Sequence, residues 1–110
     1  MGKPEITFDE FQKMELKSAR VLAAERVPDT AKLVTMEIDM GSERRQIVAG
    51  IADVYEPQEL VGRDIILVAN LQPAKIRGAL SQGMLLAASI GGQAILACFD
   101  KPVPPGTDVV

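Results

Sequence analysis

From Gly78 to Phe99 the chain carries no charged side chain, and Gly91-Gly92 divides this run into two apolar arms. The run is long enough to cross a bilayer as a helix. Ser81, Gln82, Ser89 and Gln93, with a Gly-Gly pair in the middle, make it poor material for one. Gly-Gly between apolar arms is instead a signal for a two-residue β-hairpin loop. The expectation is a buried hairpin with arms over 84–90 and 93–99, and no membrane contact.

The remaining pattern agrees with a chain built from short strands. Thr7-Phe8-Asp9-Glu10 reads as a helical capping box, with Phe8 and Phe11 on one side of a short helix. Alternation from Met14 onward predicts a strand over about 15–27. Pro28-Asp29-Thr30 is turn material. Residues 32–40 alternate cleanly, with Val34, Met36, Ile38 and Met40 on one face, as a half-buried strand requires. Gly41-Ser42-Glu43 makes a turn into a third strand over 44–51. Pro57 opens a helical turn that ends near Gly62, and the apolar run Ile65–Ala69 reads as a central strand. Residues 70–81 hold Pro73 and Gly78 and read as a loop. The tail, with Pro102, Pro104, Pro105 and Gly106, is irregular, and an irregular apolar tail is a candidate dimer surface. Many short strands with a short helix between the third and fourth predict an all-β class, a five-stranded OB-fold barrel with short helices.

One domain over residues 1–110 fits the length. Composition narrows the chemistry. With no His, no Trp and one Cys, a single chain cannot build a Ser-His-Asp or Cys-His catalytic group, nor a Cys/His zinc site. Cys98 has no partner for a disulfide, which points to a reducing, cytoplasmic compartment. Met1-Gly2-Lys3-Pro4-Glu5 has no apolar core run, so no secretory leader is expected. Gly78 to Gly83 matches half of a phosphate-binding loop. The Lys and Ser/Thr that should follow are Met84 and Leu85, and the nucleotide-binding reading fails there. No catalytic residue, metal or cofactor is expected.

The net charge is -3, which on its own disfavours a polyanion binder. The distribution differs from the sum. Residues 1–64 hold nine basic and 13 acidic residues, whereas residues 65–99 hold Lys75 and Arg77 and no acid. These two cations sit in the segment Asn70 to Met84, just after the most apolar strand. In an extended stretch they would project to the same side, as contacts to a phosphate backbone require. Asn70 and Ser81 could hydrogen-bond to sugar or base edges. An ordinary solvated loop is the competing reading.

The run Asn70-Leu71-x-Pro73-x-Lys75-x-Arg77-Gly78-x-x-Ser81-x-Gly83-Met84-x-Leu86-Ala87-Ala88 resembles the signature of the tRNA-binding OB domain. That domain occurs at the C-terminus of methionyl-tRNA synthetases and as free-standing proteins. Ile6-Thr7-Phe8-x-x-Phe11, Gln46–Ile51 and Tyr55-x-Pro57-x-x-Leu60-Val61-Gly62 extend the resemblance over essentially the whole chain. It implies a dimeric barrel that grips tRNA by shape, linked to the catalytic part of methionyl-tRNA synthetase. The RNA contacts it implies are Lys32, Asn70, Lys75, Arg77, Ser81 and Met84, with Arg44 at the periphery. The first-loop pattern departs from the family at Val27 and Ala31, where His and an acid are usual. With Phe8, Phe11, Tyr55 and Phe99 as the aromatics, base stacking is not expected to dominate. A small dimeric secretion chaperone of the same fold, binding unfolded polypeptide, is the alternative. The intact Lys75-to-Met84 run favours RNA.

Overall fold

The computed structural model describes residues 2–110. Met1, which opens the N-terminal pentapeptide, lies outside them. The elements in chain order are α1 (Phe8–Gln12), β1 (Leu16–Arg26), β2 (Leu33–Asp39), β3 (Arg44–Gly50), α2 (Pro57–Leu60), β4 (Asp64–Val68), β5 (Ala74–Ile76), β6 (Ala79–Ser81), β7 (Met84–Leu85), β8 (Ala87–Ile90), β9 (Gln93–Leu96) and β10 (Asp108–Val109).

The long strand β1 organises the sheet because its two halves serve different neighbours. Leu16 to Arg20 pair antiparallel with β4, and Arg20 to Arg26 pair antiparallel with β2. The register shifts between Val21 and Ala23, and such an irregularity bends a strand around a barrel corner. The order is β3-β2-β1-β4-β7, with β10 added beside β1. Between β3 and the β6–β7 segment the sheet is closed by individual bonds rather than a ladder. The Gln82 amide donates to the Gln46 carbonyl at 2.8 Å, and the Val48 amide donates to Ser81 Oγ at 3.0 Å. The result is the nearly closed all-β barrel of OB type that the strand pattern predicts.

The expected alternation of β2 is observed. Val34, Met36, Ile38 and Met40 are buried and meet Ile47, Ile51, Leu60, Ile65 and Leu67 in one core. Each large aliphatic residue so buried contributes roughly 1.5–3 kcal/mol. The capping box at α1 is also present: Thr7 Oγ1 accepts from the Glu10 amide at 3.1 Å, and Glu10 Oε1 accepts from the Thr7 amide at 3.0 Å.

Three segments differ from expectation. The β8–β9 hairpin forms with Gly91 and Gly92 at φ 56° and 82°, but it is not buried. All four residues of β8 are exposed, and Ile90 is 65% exposed. An apolar arm looks the same in sequence whether it faces a core or projects from the barrel. Residues 70–81 are not simply a loop either, because β5 and β6 pair within them. The C-terminal tail is not free but packs on its own chain, with Lys101, Pro102 and Val110 left exposed. Buried Ser18 is the anchor: its hydroxyl donates to the Pro104 carbonyl at 2.8 Å and accepts from the Thr107 amide at 2.9 Å. Gly106 adopts φ 83°, and a Cβ there would lie 2.2 Å from the Met40 carbonyl oxygen, so only glycine lets the tail approach.

Candidate nucleic-acid interface

The β5–β6 hairpin carries the two isolated cations. Its tip is Arg77-Gly78, at φ 53° and 85°. Two central residues with positive φ match the right-handed twist of the flanking strands. Arg77 therefore lies in a turn and does not share a strand face with Lys75, contrary to the extended geometry expected from the sequence. It turns instead toward the β1–β2 connection, where its Nη2 donates to the Asp29 carbonyl at 3.3 Å.

Side chains from β3 hold the ribbon and its exit in place. Gln46 Nε2 donates to the Leu80 carbonyl at 2.9 Å, and the Gln46 amide donates to Gln82 Oε1 at 3.2 Å. Arg45 Nη1 donates to the Ala69 carbonyl at 2.6 Å, which fixes the start of the segment. Neither glutamine nor Arg45 stands out in sequence. Polar residues on a barrel strand give no periodic signal for the long-range partners they find.

The residues expected at the site divide into two groups. Lys75 and Arg77 are exposed and take part in no ion pair among the described residues. Lys32 is exposed on the β1–β2 connection, three residues beyond Asp29, with Asp53 at 3.8 Å. These three cations belong to the two segments that the Arg77–Asp29 bond joins. Met84 is half-buried where β7 meets Val68 of β4. Arg44 is exposed beside Glu37 at 3.4 Å. It opens β3, opposite Asp39 and away from the end where Leu33 meets Gly50. Over that strand the separation from the first loop is about 20 Å.

Ser81 is buried and Asn70 is exposed, and both have their side-chain polar atoms bonded within the protein. Ser81 is 3% exposed. Its hydroxyl donates to the Gly83 carbonyl at 2.9 Å while accepting from Val48. It holds the hairpin to β3 and does not present itself to a ligand in this conformation. Asn70 Oδ1 accepts from the Glu15 amide at 2.8 Å, and its Nδ2 donates to the Lys13 carbonyl at 2.7 Å. It ties the entrance of β1 to the end of β4. Sequence type alone does not separate a hydroxyl or amide that contacts RNA from one that braces the loop. Tyr55 likewise faces inward, its hydroxyl accepting from the Leu96 amide at 3.1 Å and its ring lying 5.1 Å from the Arg63 guanidinium.

Two ionisable groups near the framework are displaced from their ordinary values. The hydrogen bond from Arg45, with its charge, holds the Glu43 carboxyl below the usual carboxylate range. The hydrogen bond to Asp108 raises the Lys17 ammonium. Both are exposed pairs, and their contribution is screened by solvent. Neither lies on the cationic hairpin.

Residues 16–108 match a family model described as "Putative tRNA binding domain". The chain is 54% identical over 104 residues to a methionine–tRNA ligase of Thermotoga maritima. It is 52% identical over 107 residues to that of Methanothrix thermoacetophila. These matches cover 94% and 97% of this chain and 16% of each ligase. Among solved structures, a MetRS-related protein from Pyrococcus horikoshii superposes with a TM-score of 0.91 at 40% identity, covering 98% of this chain and all of that one. The chaperone CsaA of Bacillus anthracis superposes with a TM-score of 0.89 at 28% identity, covering 97% of this chain and all of that one. The family model matches most of the chain, the ligases share about half of its residues and the fold superposes closely on a solved relative, so the chain belongs to the tRNA-binding domain family.

Proposed function

We propose that this chain is a non-catalytic module that grips tRNA by shape and serves methionyl-tRNA synthetase as its C-terminal domain or beta subunit. The observation that carries this reading is the meeting of two cationic segments, Lys32 on one and Lys75 and Arg77 on the other, at a single bond. Cations at one place on an acidic protein favour a phosphate backbone there and discourage indiscriminate binding elsewhere. Met84 lies on the strand that follows, and Arg44 stands as a peripheral contact. Tethered to a synthetase, such a grip raises the effective tRNA concentration at the catalytic domain. Aminoacylation would place the module in the cytoplasm.

The exposed β8–β9 hairpin supports a homodimer. A two-stranded ribbon is marginal by itself in water. Its strands are uncharged, so two copies can meet about a two-fold axis without like-charge repulsion. Likeness to CsaA supports the second reading, in which the same apolar hairpin receives unfolded polypeptide. Titration of fluorescent total tRNA across a salt series tests the first. If two to four phosphates are neutralised, log affinity falls against log salt with a slope of roughly -2 to -4. No binding at low salt, together with capture of an unfolded polypeptide, would put the second reading first.

A further inference from the structure

We propose that Asp29 is a positioning residue for RNA binding. Its left-handed backbone presents the carbonyl that holds Arg77, and so joins the Lys32 loop and the Lys75 hairpin into one cationic unit. The inference rests on the tRNA reading above.

Among the described residues, the non-glycine residues with positive φ are Asp29, at 61°, and Arg77, at 53°. Non-glycine residues seldom adopt this region, Asp more readily than Arg, and backbone outliers cluster at functional sites. Here the two outliers touch, although 48 positions separate them in the chain. Arg77 occupies a turn position that Asn or Gly would fill at lower cost. An arginine at this strained position is explained if the guanidinium is needed at that point. The acceptor is itself fixed. Thr30 Oγ1 donates to the Val27 carbonyl at 2.7 Å, and the Val27 amide donates to the Leu33 carbonyl at 2.9 Å, closing the turn around Asp29. Lys32 is anchored by its own carbonyl, which accepts from the Ala52 amide at 2.8 Å.

A guanidinium has five N–H donors in a rigid fork. The bond to Asp29 uses one and leaves the rest for a phosphate. A long side chain already held in place loses less freedom on binding, which raises affinity without a new contact. Because the bond is to the backbone carbonyl, the Asp29 conformation matters here and its carboxylate does not. The carboxylate repels RNA, so the role is separable from charge.

The test is tRNA titration of Asp29→Val and Asp29→Asn, each in the wild-type and Arg77→Ala backgrounds, with thermal melts to confirm folding. Val resists positive φ strongly, whereas Asn accepts it. Asp29→Val is expected to weaken binding about fivefold with wild-type Arg77, in line with losing one charge-assisted hydrogen bond at an exposed site. In the Arg77→Ala background it should cause no loss, because only the removal of the repelling carboxylate remains. Asp29→Asn should bind at least as tightly as wild type, rescuing the conformation while removing a negative charge. Asp29→Ala, a milder perturbation, serves if the Val variant does not fold, with an intermediate loss expected. Equal losses in both backgrounds, or no loss in a wild-type protein that binds tRNA, would overturn the coupling and leave the tRNA reading standing. Absence of tRNA binding by the wild type overturns both.

Discussion

The β5–β6 and β8–β9 hairpins use the same backbone device for opposite ends. Both turn through two residues with positive φ, Arg77-Gly78 in one and Gly91-Gly92 in the other. In β8–β9 glycine adopts that geometry without steric cost, and the tip has no side chain to offer. What this hairpin presents is its arms, uncharged and led by exposed Ile90. In β5–β6 an arginine accepts a penalty of roughly 1 kcal/mol to sit at the tip. There the arms are braced by Gln46 and Ser81, and the tip is fastened to Asp29. One ribbon is shaped to place a charge and the other to place an apolar surface. The side chain at the turn, more than the turn itself, distinguishes the two.

The largest expected effects come from exchanging the perturbations. Lys75→Ala with Arg77→Ala should weaken tRNA binding by about 30-fold near 0.1 M salt and reduce the salt slope by about two, with the melting temperature nearly unchanged. Ile90→Lys should do the reverse. It introduces a charge into the neutral hairpin and, on the proposed dimer, should shift the protein to monomer in analytical ultracentrifugation while tRNA affinity per chain is kept. If Ile90→Lys abolishes tRNA binding by the isolated chain while Lys75→Ala/Arg77→Ala does not, the two hairpins have been assigned the wrong way round.

Ser81→Ala examines the bracing. It leaves the Val48 amide buried without a partner, which should cost about 1–3 kcal/mol of stability in a urea melt. The protein that remains folded should still bind tRNA. Loss of affinity without loss of stability would return Ser81 to the RNA surface. Smaller again is Arg77→Asn. Asn-Gly is a preferred pair for this turn, so stability should rise by about 0.5 kcal/mol while affinity falls. A rise in both would remove the functional explanation for the strained arginine.

Much of the barrel was legible because its signals are local or periodic. The alternation from Val34 to Met40 assigns a face, and Gly91-Gly92 marks a turn. Thr7 and Glu10 mark a helix start. The β5–β6 hairpin was not legible, since its strands are three residues long and Arg77 is not a turn-forming residue. Exposure of Ile90 was not legible either, because an apolar side chain carries no mark of what covers it. At the site, the motif located the segment and its two cations. The division of work within it depended on partners far away in sequence: Ser81 reaches Val48, and Asn70 reaches Lys13 and Glu15. Such partners are set by the closure of the barrel, which no short motif encodes.

The smallest expected effect concerns the end of the bracing network at Glu43. Its folded pKa lies below the ordinary value of 4.5, chiefly through the hydrogen bond from Arg45. A carboxylate so depressed adds stability above its unfolded pKa, and that contribution disappears as pH falls through the folded value. The pair is exposed, so the change should be barely visible in acid melts and clear only in an NMR titration of the Glu43 carboxyl. Arg45→Met should bring that titration back up toward 4.5. The same substitution removes the donor to the Ala69 carbonyl, so it should also loosen the start of the cationic segment and speed amide exchange around Gln82. Acidification alone should not, because the carbonyl bond does not depend on Glu43 being charged. If protonating Glu43 loosens Gln82 as much as Arg45→Met does, the ion pair, not the carbonyl bond, holds the β5–β6 hairpin in place. Its bracing would then be electrostatic and weakened by salt, unlike the apolar surface of β8–β9.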